Sequence, residues 1–227
     1  MRALLIASPD ADEPALGRAD GLVLAHAPAR APPWLAALRR RPAAPALYVR
    51  VAPGAPDLDA ALALAPDGIV LPGVEDGADL ARLGCRLAVH EAEAGLPDGA
   101  TRILAGLGTA CGLLRIGTLP GASPRLAALF CEVSDLARDL GLEARDPTEP
   151  WPAPIAQARG LVVLAAASAG VPALVAASEA AGPDAVLRAA ESARRDGFRG
   201  GFARDAGAAA LLARVFGADP KRSEDPS

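Results

Sequence analysis

Leu47-Tyr48-Val49-Arg50-Val51 and Gly68-Ile69-Val70-Leu71-Pro72-Gly73-Val74-Glu75 are the two stretches that decide the fold of this chain. Both begin as short runs of branched apolar residues, and an amphipathic segment over residues 58–64 separates them. Two buried strands joined by a helix are typical of a parallel βαβ unit. Arg50 lies at the end of the first strand and Glu75 just past the end of the second. Because parallel strands place ligands at their carboxyl ends, both residues are candidate site residues.

The same alternation of apolar runs and helical segments extends along the whole chain. It predicts eight strands, at residues 2–7, 20–26, 47–51, 68–72, 101–107, 126–133, 172–176 and 198–204. It predicts helices within 9–18, 32–41, 58–64, 79–94, 134–140, 155–169, 183–195 and 206–216. The helix at 155–169 is almost uncharged, so we expect it to pack on both sides. This order favours a single-domain α/β protein, a (β/α)8 TIM barrel over residues 1–217 with a disordered tail at 218–227. A doubly wound open sheet is the alternative, because the eighth strand is rich in glycine and poor in strand-forming residues.

Composition excludes several classes of function. The net charge of −4 is spread along the chain, which argues against nucleic acid or a membrane surface as a partner. No apolar run reaches the roughly 18 residues needed to span a bilayer, and no signal peptide is visible, so we expect a cytoplasmic protein. The only lysine is Lys221, in the terminal tail, which all but excludes a Schiff-base mechanism. Three cysteines without metal-type spacing predict reduced and mostly buried thiols.

Several short segments, in order along the chain, resemble those of one family. They are Val49-Arg50-Val51, residues 66–72 followed by Val74-Glu75, Gly95-Leu96-Pro97, Thr109-Ala110-Cys111-Gly112-Leu113-Leu114, residues 134–141 and Val215-Phe216. Through them the chain resembles the citrate lyase β-subunit family, part of the wider HpcH/HpaI aldolase group of metal-dependent carbon-carbon lyases. The likeness covers nearly the whole chain and is strongest from about residue 46 to 141. It implies a (β/α)8 barrel, usually oligomeric, that acts on hydroxy-acid or acyl-CoA substrates with magnesium.

The resemblance also implies roles for individual residues. Arg50 matches the arginine that clamps the substrate carboxylate, and Asp135 matches an aspartate that binds the metal. Glu75 and Thr109 are expected to help bind substrate. Gly108 stands where the family has its second metal carboxylate. Since magnesium prefers oxygen ligands and glycine offers no side-chain oxygen, the resemblance predicts a weak or absent magnesium site.

Other positions at the strand ends also depart from the family pattern towards small or non-ligating residues. In this chain Ala25, Ala27 and Pro28 stand where the family has an acidic cluster, Ala52 replaces an asparagine, Gly73 replaces a lysine, and Ser134 replaces an acid. Arg204-Asp205-Ala206-Gly207-Ala208 stands where the family has an Ile-His-Pro-x-Gln type run. This distribution is typical of a catalytic site that has decayed on a retained scaffold.

Each candidate residue also has a purely structural interpretation. Asp135, after Ser134 at a helix start, is placed either to cap the helix or to lie in its first turn as a favourable carboxylate. Arg50 within an apolar strand requires a partner, and Glu75 or the adjacent acid at position 76 is an expected one. Thr109 fits a turn, and a lone His26 at a strand end is weak support for a general base.

Two hypotheses follow. The first is a magnesium-assisted lyase or aldolase with impaired or altered chemistry, acting on an oxo-acid or an acyl-CoA substrate. In it Arg50 holds an oxo-acid carboxylate and Asp135 holds metal, with Glu132 of the preceding strand as a candidate helper. The second is a non-catalytic paralogue that serves as a binding or assembly module. Under either hypothesis the chain is expected to form a homo-oligomer, or a hetero-oligomer with an intact paralogue.

Overall fold

Each apolar run forms one strand of a closed barrel in the computed structural model, which describes residues 1–143, 149–177 and 182–217. The strands lie parallel and in chain order, each hydrogen-bonded to the next, and the eighth pairs with the first. The predicted (β/α)8 barrel is therefore confirmed, and the open-sheet alternative is wrong. The predicted tail at 218–227 lies outside the described residues.

The element bounds are close to those the sequence predicts. The strands are β1 Ala3–Ala7, β2 Gly21–Leu24, β3 Ala46–Arg50, β4 Gly68–Leu71, β5 Arg102–Leu107, β6 Leu126–Cys131, β7 Ala173–Val175 and β8 Gly200–Ala203. The helices are α1 Leu35–Arg39, α2 Leu58–Leu62, α3 Gly77–Glu93, α4 Ala110–Leu114, α5 Val133–Asp139, α6 Ala153–Ser168, α7 Pro183–Arg195 and α8 Ala206–Gly217. A 3₁₀ turn, Ile116–Thr118, follows α4.

One buried apolar cluster takes side chains from every strand and fills the barrel interior. Its members are Leu4, Val23, Tyr48, Val70, Leu104, Ala128, Phe130, Leu174 and Phe202. The rings of Phe130 and Phe202 meet edge to face, with centroids 4.9 Å apart. Because side chains alternate along a strand, the residue two positions after each of these faces the carboxyl-end mouth of the barrel.

The helices cover the outside of the barrel with a second, larger apolar cluster. Leu80, Leu83 and Leu87 form the buried stripe of α3, at the helical spacing that the sequence shows. A capping box between Asp76 and Asp79 begins this helix, two residues earlier than predicted.

Barrel closure explains the unusual composition of β8. A β-carbon on Gly200 would lie 2.5 Å from the carbonyl oxygen of Met1, and one on Gly201 would lie 2.4 Å from a methyl of Val175. Both distances are shorter than van der Waals contact. The glycines that make this strand weak by propensity are therefore the residues that let it approach its neighbours.

Four local predictions are wrong. Residues 9–18 contain no helix. The long helix α6 is not packed on both sides, since Leu164 is 68% exposed. Of the cysteines only Cys131 is buried, while Cys85 is exposed. The fourth wrong prediction, the capping of helix α5, is described with the site. Among the described residues, no helix is both long and apolar enough to cross a membrane.

Candidate active site

The mouth of the barrel holds a pocket of about 350 Å³. Arg50 comes two positions after the inward-facing Tyr48, and Glu132 comes two positions after Phe130, so strand alternation directs both side chains into the mouth. Both line the pocket, together with Asp135. Apolar side chains form most of the remaining wall: Ile6, Val23, Ala25, Val70, Phe130, Val133, Ala176, Ala177 and Phe202.

Arg50 forms an ion pair with Glu132 across the mouth. The other carboxylate oxygen of Glu132, Oε2, accepts the backbone N–H of Gly73 at 3.0 Å. The Glu132 side chain is only 7% exposed, whereas that of Arg50 is 34% exposed. The expected structural pair between Arg50 and Glu75 or Asp76 is therefore wrong, because the neutralising acid, Glu132, directly follows β6, three strands further round the barrel.

Asp135 and Glu132 border the same small space beside Gly108. A β-carbon at position 108 would lie 3.0 Å from the Asp135 β-carbon, 3.2 Å from the Glu132 β-carbon and 3.5 Å from Glu132 Oε2. The space that a side chain on residue 108 would need is therefore already bounded by two acids. Glu132 thus brings a carboxylate to the place where Gly108 supplies none.

Asp135 does not cap its helix in the expected way. Helix α5 begins at Val133, its N-cap is Glu132, and no side chain makes the capping hydrogen bond. Asp135 lies in the first turn and pairs with Arg138, with 2.6 Å between Oδ1 and Nη1. The prediction that Ser134 and Asp135 cap this helix is wrong, although a first-turn carboxylate remains favourable there.

Glu75 and Thr109 are not among the residues that line the pocket. Glu75 is exposed, and its backbone N–H donates to Asp79. Thr109 is the N-cap of α4, where its hydroxyl accepts the N–H of Gly112 at 3.1 Å. The capping bond agrees with the structural interpretation of Thr109, while a role in substrate binding for either residue stays a prediction.

For two residues, His26 and Arg204, the structure shows surroundings that the sequence did not predict. His26 is exposed but has a carboxylate partner, Asp10, with 3.3 Å between Nε2 and Oδ2. Arg204 lines the pocket, although the sequence analysis treated it only as a departure from the family run. Its position two residues after the inward-facing Phe202 was the signal that could have identified it.

Cys131 is not a nucleophile for this site. Burial raises the pKa of its thiol to about 11, an effect that nearby Arg159 opposes and Glu132 reinforces. The thiol therefore stays protonated at neutral pH, and a protonated thiol is a poor nucleophile. The charged side chains that line the pocket are those of Arg50, Arg204, Glu132 and Asp135.

Comparison of the sequence with known families supplies the decisive observation. The HpcH/HpaI aldolase/citrate lyase family model matches residues 19–206. The chain belongs to the HpcH/HpaI aldolase/citrate lyase family. No curated protein matches the chain significantly.

Solved structures from this family and beyond share the same fold. RipC from Yersinia pestis is 22% identical, covers 97% of this chain and 96% of its own, and gives a TM-score of 0.74. The Mycobacterium tuberculosis citrate lyase β subunit is 23% identical over 96% of this chain and 97% of its own, with a TM-score of 0.72. Haloferax volcanii malate synthase is 16% identical over 100% of this chain and 77% of its own, with a TM-score of 0.75. At these identities the likeness establishes the fold alone.

A divalent cation fits the mouth of this HpcH/HpaI family member. Among the described residues no group of three or more His, Cys, Asp and Glu side chains is arranged to hold a metal ion. Magnesium sites, however, commonly use one or two protein carboxylates and complete their shell with substrate and water oxygens. Glu132 and Asp135, converging beside Gly108, supply that number of hard oxygen donors.

Proposed function

We propose that this protein binds a carboxylate-bearing substrate at the barrel mouth and cleaves or forms the carbon-carbon bond next to a carbonyl group, with magnesium as cofactor. The proposed substrates are oxo-acids and acyl-CoA esters of hydroxy acids. The observation that carries the proposal is the Arg50–Glu132 pair at the wall of the pocket, with Asp135 beside it. The M. tuberculosis subunit, solved with oxaloacetate and magnesium and with magnesium, acetoacetate and coenzyme A, supports these ligand classes.

Arg50 is the residue proposed to bind the substrate. Its planar guanidinium can donate two parallel hydrogen bonds to a carboxylate, which fixes the orientation as well as the position of the substrate. In the structure this guanidinium is paired with Glu132. The apolar walls exclude water from the reacting groups, and the resulting low dielectric strengthens the interaction between charges.

Asp135, with Glu132 beside it, would hold the magnesium. A divalent cation there supplies the positive charge that stabilises the negative charge developing on a substrate oxygen when the carbon-carbon bond breaks. Because Gly108 contributes no ligand, we expect weaker magnesium binding than a site with a further carboxylate would give.

Calorimetric titration of magnesium in the presence of pyruvate or oxaloacetate tests the proposal, together with an assay of lyase turnover on acyl-CoA substrates. We expect measurable heat, and we expect Asp135→Ala to abolish both metal binding and turnover. The absence of both heat and turnover in the wild-type protein would contradict the proposal.

A non-catalytic role is the second candidate, and one observation favours it. Arg50 is already neutralised by Glu132 in the absence of ligand, and neither Gly73 nor Gly108 has a side chain that can bind metal. In this case the barrel serves as an assembly or binding module, either with copies of itself or with an intact paralogue. Turnover that is lost in Asp135→Ala would exclude this role, whereas an intact family member encoded beside this chain would favour it.

A further inference from the structure

We infer that Glu132 exchanges partners, pairing with Arg50 when no metal is bound and with the divalent cation when it is, so that metal binding releases Arg50 for the substrate carboxylate. This inference rests on the proposed function, because it uses the same guanidinium and the same carboxylates. It adds a fixed relation between the two ligands: each should bind more tightly in the presence of the other.

The hydrogen bonds of Glu132 make such an exchange geometrically simple. Oε2 is anchored by the backbone N–H of Gly73 at 3.0 Å, while Oε1 accepts from the Arg50 guanidinium. A carboxylate has about four acceptor positions, so Oε2 can keep the Gly73 N–H and also take a cation. A cation on this carboxylate neutralises its charge and so weakens its hold on Arg50. The backbone of residue 73 belongs to the loop after β4 and does not depend on the metal.

The space beside Gly108 gives Glu132 its second set of contacts. Its β-carbon and that of Asp135 both lie within 3.2 Å of the position a residue-108 β-carbon would take, and its Oε2 lies 3.5 Å from that position. One oxygen of Glu132 therefore holds the guanidinium, while the other borders the space that the β-carbon of Asp135 also borders. Glu132 is the one group in the described pocket lining that contacts Arg50 and also borders this space.

The charges at the mouth determine the sign of the coupling. Without metal, the single charge of Arg50 is neutralised by Glu132, and a substrate carboxylate must compete with an acid that is already held in place. With a dication between Glu132 and Asp135, the two negative charges of the acids are neutralised by the metal. The positive charge of Arg50 then has no internal partner among these groups, and it attracts an incoming carboxylate. Because both effects use one shared carboxylate, the coupling is positive and reciprocal.

Calorimetry with magnesium alone, pyruvate alone and both together measures this coupling. For the wild-type protein we expect saturating magnesium to tighten pyruvate binding by about 5- to 150-fold, the usual range for coupled sites, and pyruvate to tighten magnesium binding by the same factor. Equal pyruvate affinity with and without magnesium, or a wild-type protein that binds no magnesium, would overturn the inference.

Two variants separate the exchange from simple charge attraction. Glu132→Gln removes the competing charge, so pyruvate should bind more tightly than in the metal-free wild-type protein, and magnesium should tighten its binding by a smaller factor than in the wild-type protein. Asp135→Asn weakens magnesium binding but leaves the Arg50–Glu132 pair intact, so pyruvate should keep its metal-free wild-type affinity. Wild-type coupling in either variant would overturn the inference.

Glu93→Gln is the matched control, because Glu93 is an exposed residue at the far end of α3, and we expect wild-type coupling there. Thermal unfolding checks that each protein is folded. If Glu132→Gln does not fold, Asp135→Asn is the variant that tests the exchange. Pyruvate that binds to neither the wild-type protein nor Glu132→Gln, with magnesium present, would refute the proposed function itself. Pyruvate binding without coupling would refute only the exchange.

Discussion

Two arginine–glutamate pairs occupy opposite ends of this barrel, and they differ in what surrounds them. At the amino ends of the strands, Arg125 and Glu91 are 5% and 1% exposed. Glu91 also accepts the N–H groups of Gly99 and Thr101, at 2.9 and 2.7 Å. At the mouth, Arg50 is 34% exposed and faces the pocket. The first pair is enclosed and supported by backbone hydrogen bonds, while the second borders a pocket. We therefore expect the first pair to stabilise the fold, and we propose that the second binds ligand.

Removal of the acid from each pair should give the largest difference. Glu91→Ala leaves the N–H groups of Gly99 and Thr101 without their acceptor and leaves the buried Arg125 with the exposed Asp98 as its remaining ionic partner among the described residues. We therefore expect the free energy of unfolding to fall by about 3–5 kcal/mol. Glu132→Ala leaves a partly solvated guanidinium, and we expect a loss of roughly 1–2 kcal/mol. Urea unfolding measures both.

Glu93→Ala, at an exposed position in the same helix as Glu91, controls for the loss of a glutamate and should stay within about 0.5 kcal/mol of the wild-type protein. Equal losses in Glu91→Ala and Glu132→Ala would show that the two ends do not differ in this way.

Gly108→Ala tests the crowded side of the mouth. Its β-carbon would approach those of Asp135 and Glu132 to 3.0 and 3.2 Å, so the acids must move, at a cost of about 1–3 kcal/mol in unfolding free energy. We also expect weaker magnesium binding. Gly160→Ala is the control, because a β-carbon there meets open space and alanine favours a helix by up to about 1 kcal/mol. Unchanged metal affinity in Gly108→Ala would place the cation elsewhere.

Acidification should affect the enclosed end through a gradual loss of stability. Burial acts to raise the pKa of Glu91, but hydrogen bonds from Thr101, Arg125 and Gly99 outweigh it and hold that pKa below its usual value. Because the unfolded chain then takes up the proton at higher pH, the stabilisation is fully present above the ordinary carboxyl pKa. It is lost as the pH falls through the lowered, folded-state value. The difference in unfolding free energy between wild type and Glu91→Gln should therefore shrink on acidification; a difference independent of pH would contradict this account.

The smallest expected effect concerns the alkylation of the cysteine thiols, which tests whether solvent reaches behind the wall of the pocket. Cys131 precedes Glu132 and faces the helices, and burial raises its pKa to about 11, so it should resist alkylation at neutral pH. Cys85 is exposed on α3 and should react first. Mass spectrometry after brief alkylation, with a denatured sample as control, identifies the modified residue. Rapid modification of Cys131 would mean that solvent reaches behind the pocket wall.

The fold was predictable because strand signals are local, whereas barrel closure is not. Apolar runs and their spacing place all eight strands, and the parallel order follows from the helices between them. The open sheet remained an alternative because β8 has low strand propensity, and only the collisions that β-carbons on Gly200 and Gly201 would make explain its composition. Strand propensity describes an isolated strand, whereas these glycines are required by close contacts with neighbouring parts of the barrel.

The site was predictable in position but not in pairing. The strand-end rule identified Arg50, and the resemblance identified Asp135, both of which line the pocket. The partner of Arg50 could not be inferred, because Glu132 lies 82 positions away and meets Arg50 only when the barrel closes. Sequence proximity favoured Glu75, which is exposed. Arg204 was not predicted as a site residue, although it follows Phe202 by two positions and so faces the same side of the strand.

The glycines of β8 also bear on how the chain folds. Leu4 pairs with Phe202, so the last seam of the barrel joins the first strand to the eighth and can form only after β8 has been synthesised. Pairings between distant segments fold slowly because the entropy of loop closure is lost before the contacts form. Until that seam closes, β1 presents an unpaired edge, which makes the final strand the element that protects the growing chain from association with its neighbours.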